Sequence, residues 1–391
     1  MLPSGWDTVV VDIAWYDPDA REHGYNDDPR IALDANGLAQ PAPNRFPSSV
    51  GGAGFGPLAE QVHQLGLRFG LHVMRGIPRL AVARDLPVAG TGWTARQIAD
   101  EQDGCSWNPD NVGLDHTHPG AQAYYDAQVA QFARWGVDFV KADDMLGPYH
   151  EQDITAYAAA IARTGRPIAL SLSPGRAMSL TRLPHLRAHA TTWRVSDDLW
   201  DRWSDVRDQF SRLARWAPTQ QPGGWADADM LPVGRVGIRA ERGEDRLSRL
   251  TDDEQQTMVS LWCLARSPLM VGCDLPTSPP ATIRLLTNDA VLQVLRESTG
   301  GREVLREKDL VLWTAQHQTS GDRWVGVFST ADAPGTVQVE TGSVDVPSDA
   351  AGIDLWSREA VHSANGLLTL EVPAHGVRLL RLPTAGADPT P

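Results

Sequence analysis

Lysine is almost missing from this sequence: Lys141 and Lys308 are the only two in 391 residues, and arginine carries the rest of the positive charge. Basic charge is short overall, with a formal net charge of −14 and an isoelectric point near 5.2. An acidic surface repels phosphodiester backbones and anionic headgroups, which argues against nucleic acid and membrane surfaces as partners and leaves neutral, polar ligands. Cysteine is scarce as well. Cys105, Cys263 and Cys273 form an odd, scattered set without C-x-x-C spacing, so they supply neither a disulfide framework nor a zinc site, and they fix no compartment. No apolar run approaches the ~20 residues that a membrane-crossing helix needs. The opening M-L-P-S-G-W-D-T-V-V-V-D lacks a basic n-region and a small-residue cleavage site, so it is expected to lead into a strand and not to be a signal peptide. Localisation stays open between cytoplasm and secretion, and oligomeric state is not legible. The run G-G-A-G-F-G at 51–56 lacks the preceding strand and the Lys-Ser/Thr end of a phosphate loop, which makes it a flexible connection.

Tryptophan, in contrast, is plentiful, with 14 against 7 phenylalanines. Its flat amphipathic ring suits the apolar face of a sugar, although packing accounts for most of these side chains.

Apolar strand-like runs at 8–13, 67–74, 137–143, 167–173, 190–196, 224–229 and 268–273 alternate with helical patterns at 57–65, 120–135, 153–163 and 251–266. Such alternation predicts parallel βα units. T-D-D-E at 251–254 is a capping box, in which Thr251 caps the helix and Glu254 returns the bond. From about 295 the pattern changes to short alternating segments at 311–315, 323–328, 336–340 and 376–382, separated by Gly, Asp, Ser and Pro, which predicts an antiparallel sandwich. The expected organisation is a catalytic barrel over 1–294, a β-sandwich over 295–384 and a disordered tail over 385–391. No repeat at solenoid or propeller period is present.

In a barrel of parallel strands, alternate side chains fill the interior and chemistry gathers at the C-terminal strand ends. Six of the seven runs meet that test with polar residues of one parity. Asp12 shares a face with Val10 and Ala14, His72 with Gly70 and Met74, Lys141 with Phe139 and Asp143, Ser171 with Ser173, and Arg194 with Ser196 and Asp198; W-A-D-A-D-M adds Asp227 and Asp229. A charged pair within an apolar strand is expensive to desolvate, so Lys141 beside Asp143 points to ligand binding or chemistry. Asp143 and Asp198 each share a face with a basic residue, Lys141 two positions before the first and Arg194 four positions before the second. A retaining glycosidase uses one carboxylate kept ionised as nucleophile and a second that gives and takes a proton. Lys141 holds Asp143 charged in this reading. Asp198 serves as acid/base, favoured by parity over Asp197, and Arg194 is free to bind sugar hydroxyls. Asp197 and Asp144 are expected to be surface or loop-bonding residues.

V-D-F-V-K-A-D-D, W-R-V-S-D-D-L-W-D-R-W, P-G-G-W-A-D-A-D-M-L, S-L-W-C-L-A-R-S-P-L-M-V-G-C-D-L and the closing V-P-A-H-G-V-R-L-L-R-L resemble family 27 glycoside hydrolases, the retaining α-galactosidase and α-N-acetylgalactosaminidase group. The resemblance runs from Gly5 through the C-terminal sandwich. It implies an α/β fold, a (β/α)8-type TIM barrel followed by an antiparallel β-sandwich, with Asp143 as nucleophile and Asp198 as acid/base. Asp12, His72, Lys141, Ser173, Arg194 and Asp229 would line the sugar subsite, with Trp15 and Trp107 as aromatic platforms. No cofactor is implied, and the partner is a carbohydrate.

Three departures stand out. The family places two adjacent acids after the first strand here, each binding sugar hydroxyls, where this chain has Asp12 followed by Ile13. A glutamate and a tyrosine of the α-galactosidases are replaced by Ser173 and His72, and M-R-G-I-P-R at 74–79 differs from the familiar pattern. The family's opening strand and helix have no counterpart before Gly5, so the barrel is expected to lack its first strand and to leave two open edges, with the gene beginning upstream or the chain being a fragment.

The leading expectation is therefore a retaining exo-α-glycosidase acting on terminal α-D-galactosyl residues. Alternatives of the same class are α-N-acetylgalactosaminidase, which Ser173 favours by leaving room at the 2-position, β-L-arabinopyranosidase and an α-glucan-acting relative. A carbohydrate-binding protein with impaired catalysis is a different class, and a metal hydrolase built on D-H-T-H at 115–118 is a third, weakened by the lack of a third ligand.

Overall fold

The computed structural model describes residues 1–21, 24–238 and 243–384, so the tail expected at 385–391 lies outside the described residues. Six strands build one parallel sheet in chain order: β1 (Thr8–Val11), β2 (Arg68–Met74), β3 (Phe139–Asp143), β4 (Ala169–Leu172), β5 (Thr192–Arg194) and β6 (Trp225–Asp227). Register places His72 opposite Lys141 and Lys141 opposite Ser171, so one row of polar side chains crosses three strands.

Helices return the chain between strands: α1 (Gly56–Gln64), α2 (Pro119–Arg134), α3 (Glu151–Thr164), α4 (Leu183–His189), α5 (Trp203–Trp216) and α6 (Asp252–Ala265). The α5 sequence buries Val206, Phe210, Leu213 and Trp216, the i, i+4, i+7, i+10 stripe of an amphipathic helix. The α6 start bears out the capping box, since Thr251 Oγ1 accepts from the Glu254 amide at 3.2 Å and the Glu254 carboxylate accepts from the Thr251 amide at 2.8 Å. His118 instead of a metal ligand is the α2 cap, its ring nitrogen accepting from Gly120 N at 3.0 Å.

The expected seventh strand at 268–273 does not form. Among the described residues its ladder contact is a single parallel bridge from Leu231 to Val271. Pro268 has no amide to donate. A Cβ at Gly272 would lie 2.8 Å from Met230 Sδ, and a segment with a partner on one side gains only half a ladder. β1 likewise pairs only with β2. No strand lies between them among the described residues, so the barrel wall is open there and Val9 of β1 is 44% exposed.

The second unit is an antiparallel sheet in the spatial order Ser298–Glu307, Leu310–His317, Arg323–Ser329, Val377–Leu382, Ala351–Asp354, Ala360–His362, faced by the pair Gly335–Glu340 and Leu367–Val372. Alternation sorts its two faces. Val325 and Val327 join Val339, Leu368 and Leu370 inside the sandwich, whereas Trp324 and Phe328 turn the other way and pack with Trp262 of α6 in a cluster continuous with the barrel helices.

Candidate active site

The C-terminal strand ends open into a cleft of about 1960 Å³ whose lining includes Asp12, His72, Trp107, Lys141, Asp143, Asp198 and Asp229. Its volume exceeds the usual ligand pocket because the open wall beside β1 joins the barrel interior to the mouth, as the lining by Thr8, Leu67, Thr191 and Trp225 records. Ser173 and Arg194 are buried just behind the surface, at 1% and 2% exposure.

Trp15 requires a correction. It is 1% exposed, its ring meets Phe55 and Trp135 edge to face, and its indole N–H donates to the His72 carbonyl at 2.9 Å. It is a core residue that pins the end of β1 to β2 and offers no platform to a sugar. Trp107 is 39% exposed and does line the cleft, beside Tyr25 at a ring separation of 5.7 Å.

Asp143, the last residue of β3, is held from several sides. Its Oδ1 accepts from Ser173 Oγ at 2.8 Å and from the Asp144 amide at 3.0 Å. His72 Nε2 lies 3.0 Å from its Oδ2, and His72 Nδ1 lies 2.6 Å from Asp12 Oδ1. Burial pushes the Asp143 carboxyl up, but the His72 hydrogen bond and charge, then the Lys141 charge and the Ser173 bond, outweigh it and keep the group far below the ordinary carboxylate range. Lys141, which the strand pattern sets beside Asp143, shares that task, and His72 contributes more. Asp12 is shifted the same way, burial opposed chiefly by His72. Its side chain is nevertheless 87% accessible, because it stands on the wall of the open cleft with protein around it and water in front.

Across the cleft, β5 ends at Arg194, so strand alternation does not reach the Asp197–Asp198 pair and the parity argument against Asp197 lapses. Asp197 also lines the cleft, accepting from the Arg176 amide at 3.3 Å. Partnership separates the two: Arg194 donates to Asp198 Oδ1 at 3.3 Å and pairs with Asp229 Oδ1 at 2.9 Å. Asp229 Oδ2 in turn accepts from the Leu199 amide at 2.7 Å, which fixes the loop carrying Asp198. The Asp198 side chain is 48% accessible, open to solvent and substrate.

Behind these residues lies a supporting layer, whose members Asp227, Asp144 and His116 the sequence pattern marks without showing their role. Asp227 is buried, gives one oxygen to the Asp229 amide at 2.8 Å, and is pushed up to about 6 by burial, with the Arg194 charge opposing and the Asp229 charge adding. Asp144 is no surface residue. It is 5% exposed and receives Arg75 Nη2 at 3.0 Å, while Arg75 also binds Asp103 at 2.8 and 3.0 Å. Asp153 pairs with His116 at 3.1 Å and accepts from the Tyr125 hydroxyl at 2.5 Å, which absorbs one histidine of the D-H-T-H motif. Gly76 makes the Arg75 placement possible: with φ of 79°, a Cβ there would lie 1.9 Å from the Val112 carbonyl oxygen. Ala14 (φ 59°), Asp144 (φ 60°) and Asp229 (φ 82°) are left-handed without being glycine. They follow the ends of β1, β3 and β6, the strained positions that cluster where side chains are aimed into a site. Such backbone states have no periodic signature, so only the buried Arg75 in an otherwise apolar segment offered a clue.

Residues 110–297 match the family model described as alpha galactosidase A, and residues 307–382 match the alpha galactosidase C-terminal beta sandwich domain. The fold is similar to a crystal structure of a β-L-arabinopyranosidase of glycoside hydrolase family 27 from Geobacillus stearothermophilus, 43% identical, with a TM-score of 0.96 and coverage of 100% of this chain and 91% of that one. A putative α-N-acetylgalactosaminidase from Bacillus halodurans C-125 is 38% identical, with a TM-score of 0.87 over 98% of this chain and 90% of that one. Alpha-galactosidase 2 of Arabidopsis thaliana is 31% identical over 275 residues, 68% of this chain; the chain spans less than two thirds of the length of that curated relative, 65%.

Proposed function

Because the chain belongs to glycoside hydrolase family 27, we propose that it is a retaining exo-glycosidase, removing a terminal sugar of α-D-galactose ring configuration through a covalent ester on Asp143. One observation carries this reading: Asp143, held ionised by His72, Lys141 and Ser173, shares a single cleft with the solvent-open Asp198. Those are the two carboxylate environments a double displacement needs. In the first half, an Asp143 oxygen bonds to the anomeric carbon while the bond to the leaving oxygen breaks and Asp198 donates its proton to that oxygen. In the second, Asp198 takes a proton from water, the water oxygen bonds to the anomeric carbon, and the ester electrons return to Asp143.

The sugar favoured is a β-L-arabinopyranosyl residue, with α-D-galactosyl second. The two rings share their stereochemistry, and the pentose lacks only the hydroxymethyl group. Ile13 lines the cleft beside Asp12 and brings no hydrogen-bonding group where the family pattern carries a second acid. The relative from G. stearothermophilus supports the same choice. Ser173 spends its hydroxyl on Asp143 from a buried position and does not border the cleft, which removes the argument for a 2-acetamido pocket.

A panel of 4-nitrophenyl glycosides tests this. The expected order of kcat/KM is β-L-arabinopyranoside above α-D-galactoside, with α-D-N-acetylgalactosaminide and α-D-glucoside near background. Asp143→Asn is expected to abolish turnover while sugar binding persists; unchanged activity removes Asp143 as nucleophile, and binding without turnover by the native chain leaves a carbohydrate-binding protein.

A further inference from the structure

His72 lies between two carboxylates, with Nδ1 2.6 Å from Asp12 Oδ1 and Nε2 3.0 Å from Asp143 Oδ2. An ionised carboxylate only accepts hydrogen bonds. A neutral imidazole has one N–H, so its other nitrogen would aim a lone pair at an oxygen lone pair at one of these contacts. Two protons on the ring satisfy both. The ring is enclosed by protein, its side chain only 7% accessible, which leaves it no room to turn away. Among the described residues, the charged groups that face it are Asp12 from the end of β1 and Asp143 and Lys141 from β3. Burial and the Lys141 charge work against a proton on His72; the two carboxylates overcome them and raise its affinity for one.

We propose that His72 works as an imidazolium, the fixed counter-ion of Asp143, and that it promotes the second half of the reaction, with its deprotonation closing activity on the alkaline side. The inference rests on the reading of Asp143 as nucleophile. Asp143 Oδ1 has two donors, Ser173 and the Asp144 amide, whereas His72 is the donor at Oδ2. When the ester forms, Asp143 loses its negative charge and His72 keeps only Asp12 as a counter-charge. When the ester breaks, the electron pair returns to a carboxylate beside a positive ring, which makes Asp143 a better leaving group. A cation at this place weakens the nucleophile and strengthens the leaving group, so its removal slows the second step more than the first.

The test joins nitrogen NMR of the whole chain, carrying 15N-labelled histidine, with kinetics of His72→Gln, which keeps a donor and removes the charge. Resting enzyme at pH 7 is expected to show both His72 ring nitrogens protonated, the signal being assigned by its loss in the variant. After labelling with a mechanism-based fluoroglycosyl fluoride, His72 is expected to titrate at lower pH. His72→Gln is expected to lose 10- to 100-fold in kcat with a lower KM, to release nitrophenol in a burst that matches the enzyme concentration, and to lose the alkaline limb that His72 sets. A neutral His72 at pH 7, or a variant with the native pH profile and no burst, overturns the proposal. Absence of turnover and of label on Asp143 in the native chain overturns instead the functional reading, and the NMR spectrum of the resting enzyme still decides the protonation of His72.

Discussion

Arg75 Nη2 donates to Asp144 Oδ2 at 3.0 Å, tying the end of β2 to the residue that directly follows Asp143. The same guanidinium holds Asp103 and lies 3.7 Å from Asp153, so one buried cation serves three carboxylates. Removing one partner of a buried ion pair leaves uncompensated charge and costs about 3–5 kcal/mol. Arg75→Met is therefore expected to lower stability by about that amount and to depress kcat at least tenfold, since Asp144 no longer anchors Asp143. Urea unfolding with a parallel activity assay checks both; a native midpoint means the network is dispensable.

The role proposed for Asp198 has a signature in leaving-group dependence. General acid catalysis contributes about 100- to 10,000-fold where the leaving group needs a proton. Nitrophenolate departs without one. Asp198→Asn is expected to lose that factor on a methyl or disaccharide glycoside and far less on a nitrophenyl glycoside. Equal losses on both would assign Asp198 to positioning, and Asp197→Asn provides the comparison.

Asp227 makes stability depend on pH in a calculable direction. Its folded carboxyl is raised to about 6 by burial above all. A raised value means that the folded state binds the proton more tightly than the unfolded chain. This contribution is complete below the ordinary carboxylate value and disappears as pH rises through about 6. The ionised form thus costs about 3 kcal/mol at pH 7, from roughly two pH units at 1.36 kcal/mol each. Asp227→Asn is expected to gain stability on the native chain between pH 5 and 7, while losing activity because Arg194 and Asp229 lose a partner. Thermal melts at pH 4.5 and 7.5 measure the difference.

Asp12 and Asp143 act in the opposite sense. Both are depressed in the folded state, so their stabilising contribution is present above the unfolded carboxylate value and is lost as pH falls through the lower folded values. Acid denaturation of Asp12→Asn is expected to be shallower than that of the native chain, as followed by tryptophan fluorescence.

Ile13 offers a change of specificity. A hydrogen bond to a charged group contributes about 1.5–3 kcal/mol. Ile13→Asp is expected to raise kcat/KM for the α-D-galactoside relative to the β-L-arabinopyranoside by about 10- to 100-fold. An unchanged ratio would show that the position does not reach the hydroxymethyl group.

Much of the site was legible because strand alternation and barrel architecture are local rules with a period of two. Asp12, His72, Lys141 and Asp143 share the face that alternation predicts, and register in the sheet sets His72 directly against Lys141. The sandwich faces were legible for the same reason, Trp324 and Phe328 on one side and Val325 and Val327 on the other. Alternation stopped being informative where the ladder stops. Beyond Arg194 it had no authority over Asp197 and Asp198, and at 268–273 an apolar run with Pro268 and Gly272 never became a strand. Trp15 belonged to the core, since nothing in an isolated tryptophan distinguishes a platform from packing.

By itself, then, the order of residues determined the alternation of strand and helix, the polar row at the strand ends and the family motifs, since each depends on neighbours close along the chain. Tertiary structure alone decided that His72 would sit between Asp12 and Asp143, that Arg75 would gather Asp103, Asp144 and Asp153, and that Asp227 would be buried enough to hold a proton near pH 6. Those outcomes join residues as many as 78 positions apart, as from Arg75 to Asp153. They follow from distance and desolvation in the folded chain, neither of which is written in any local pattern.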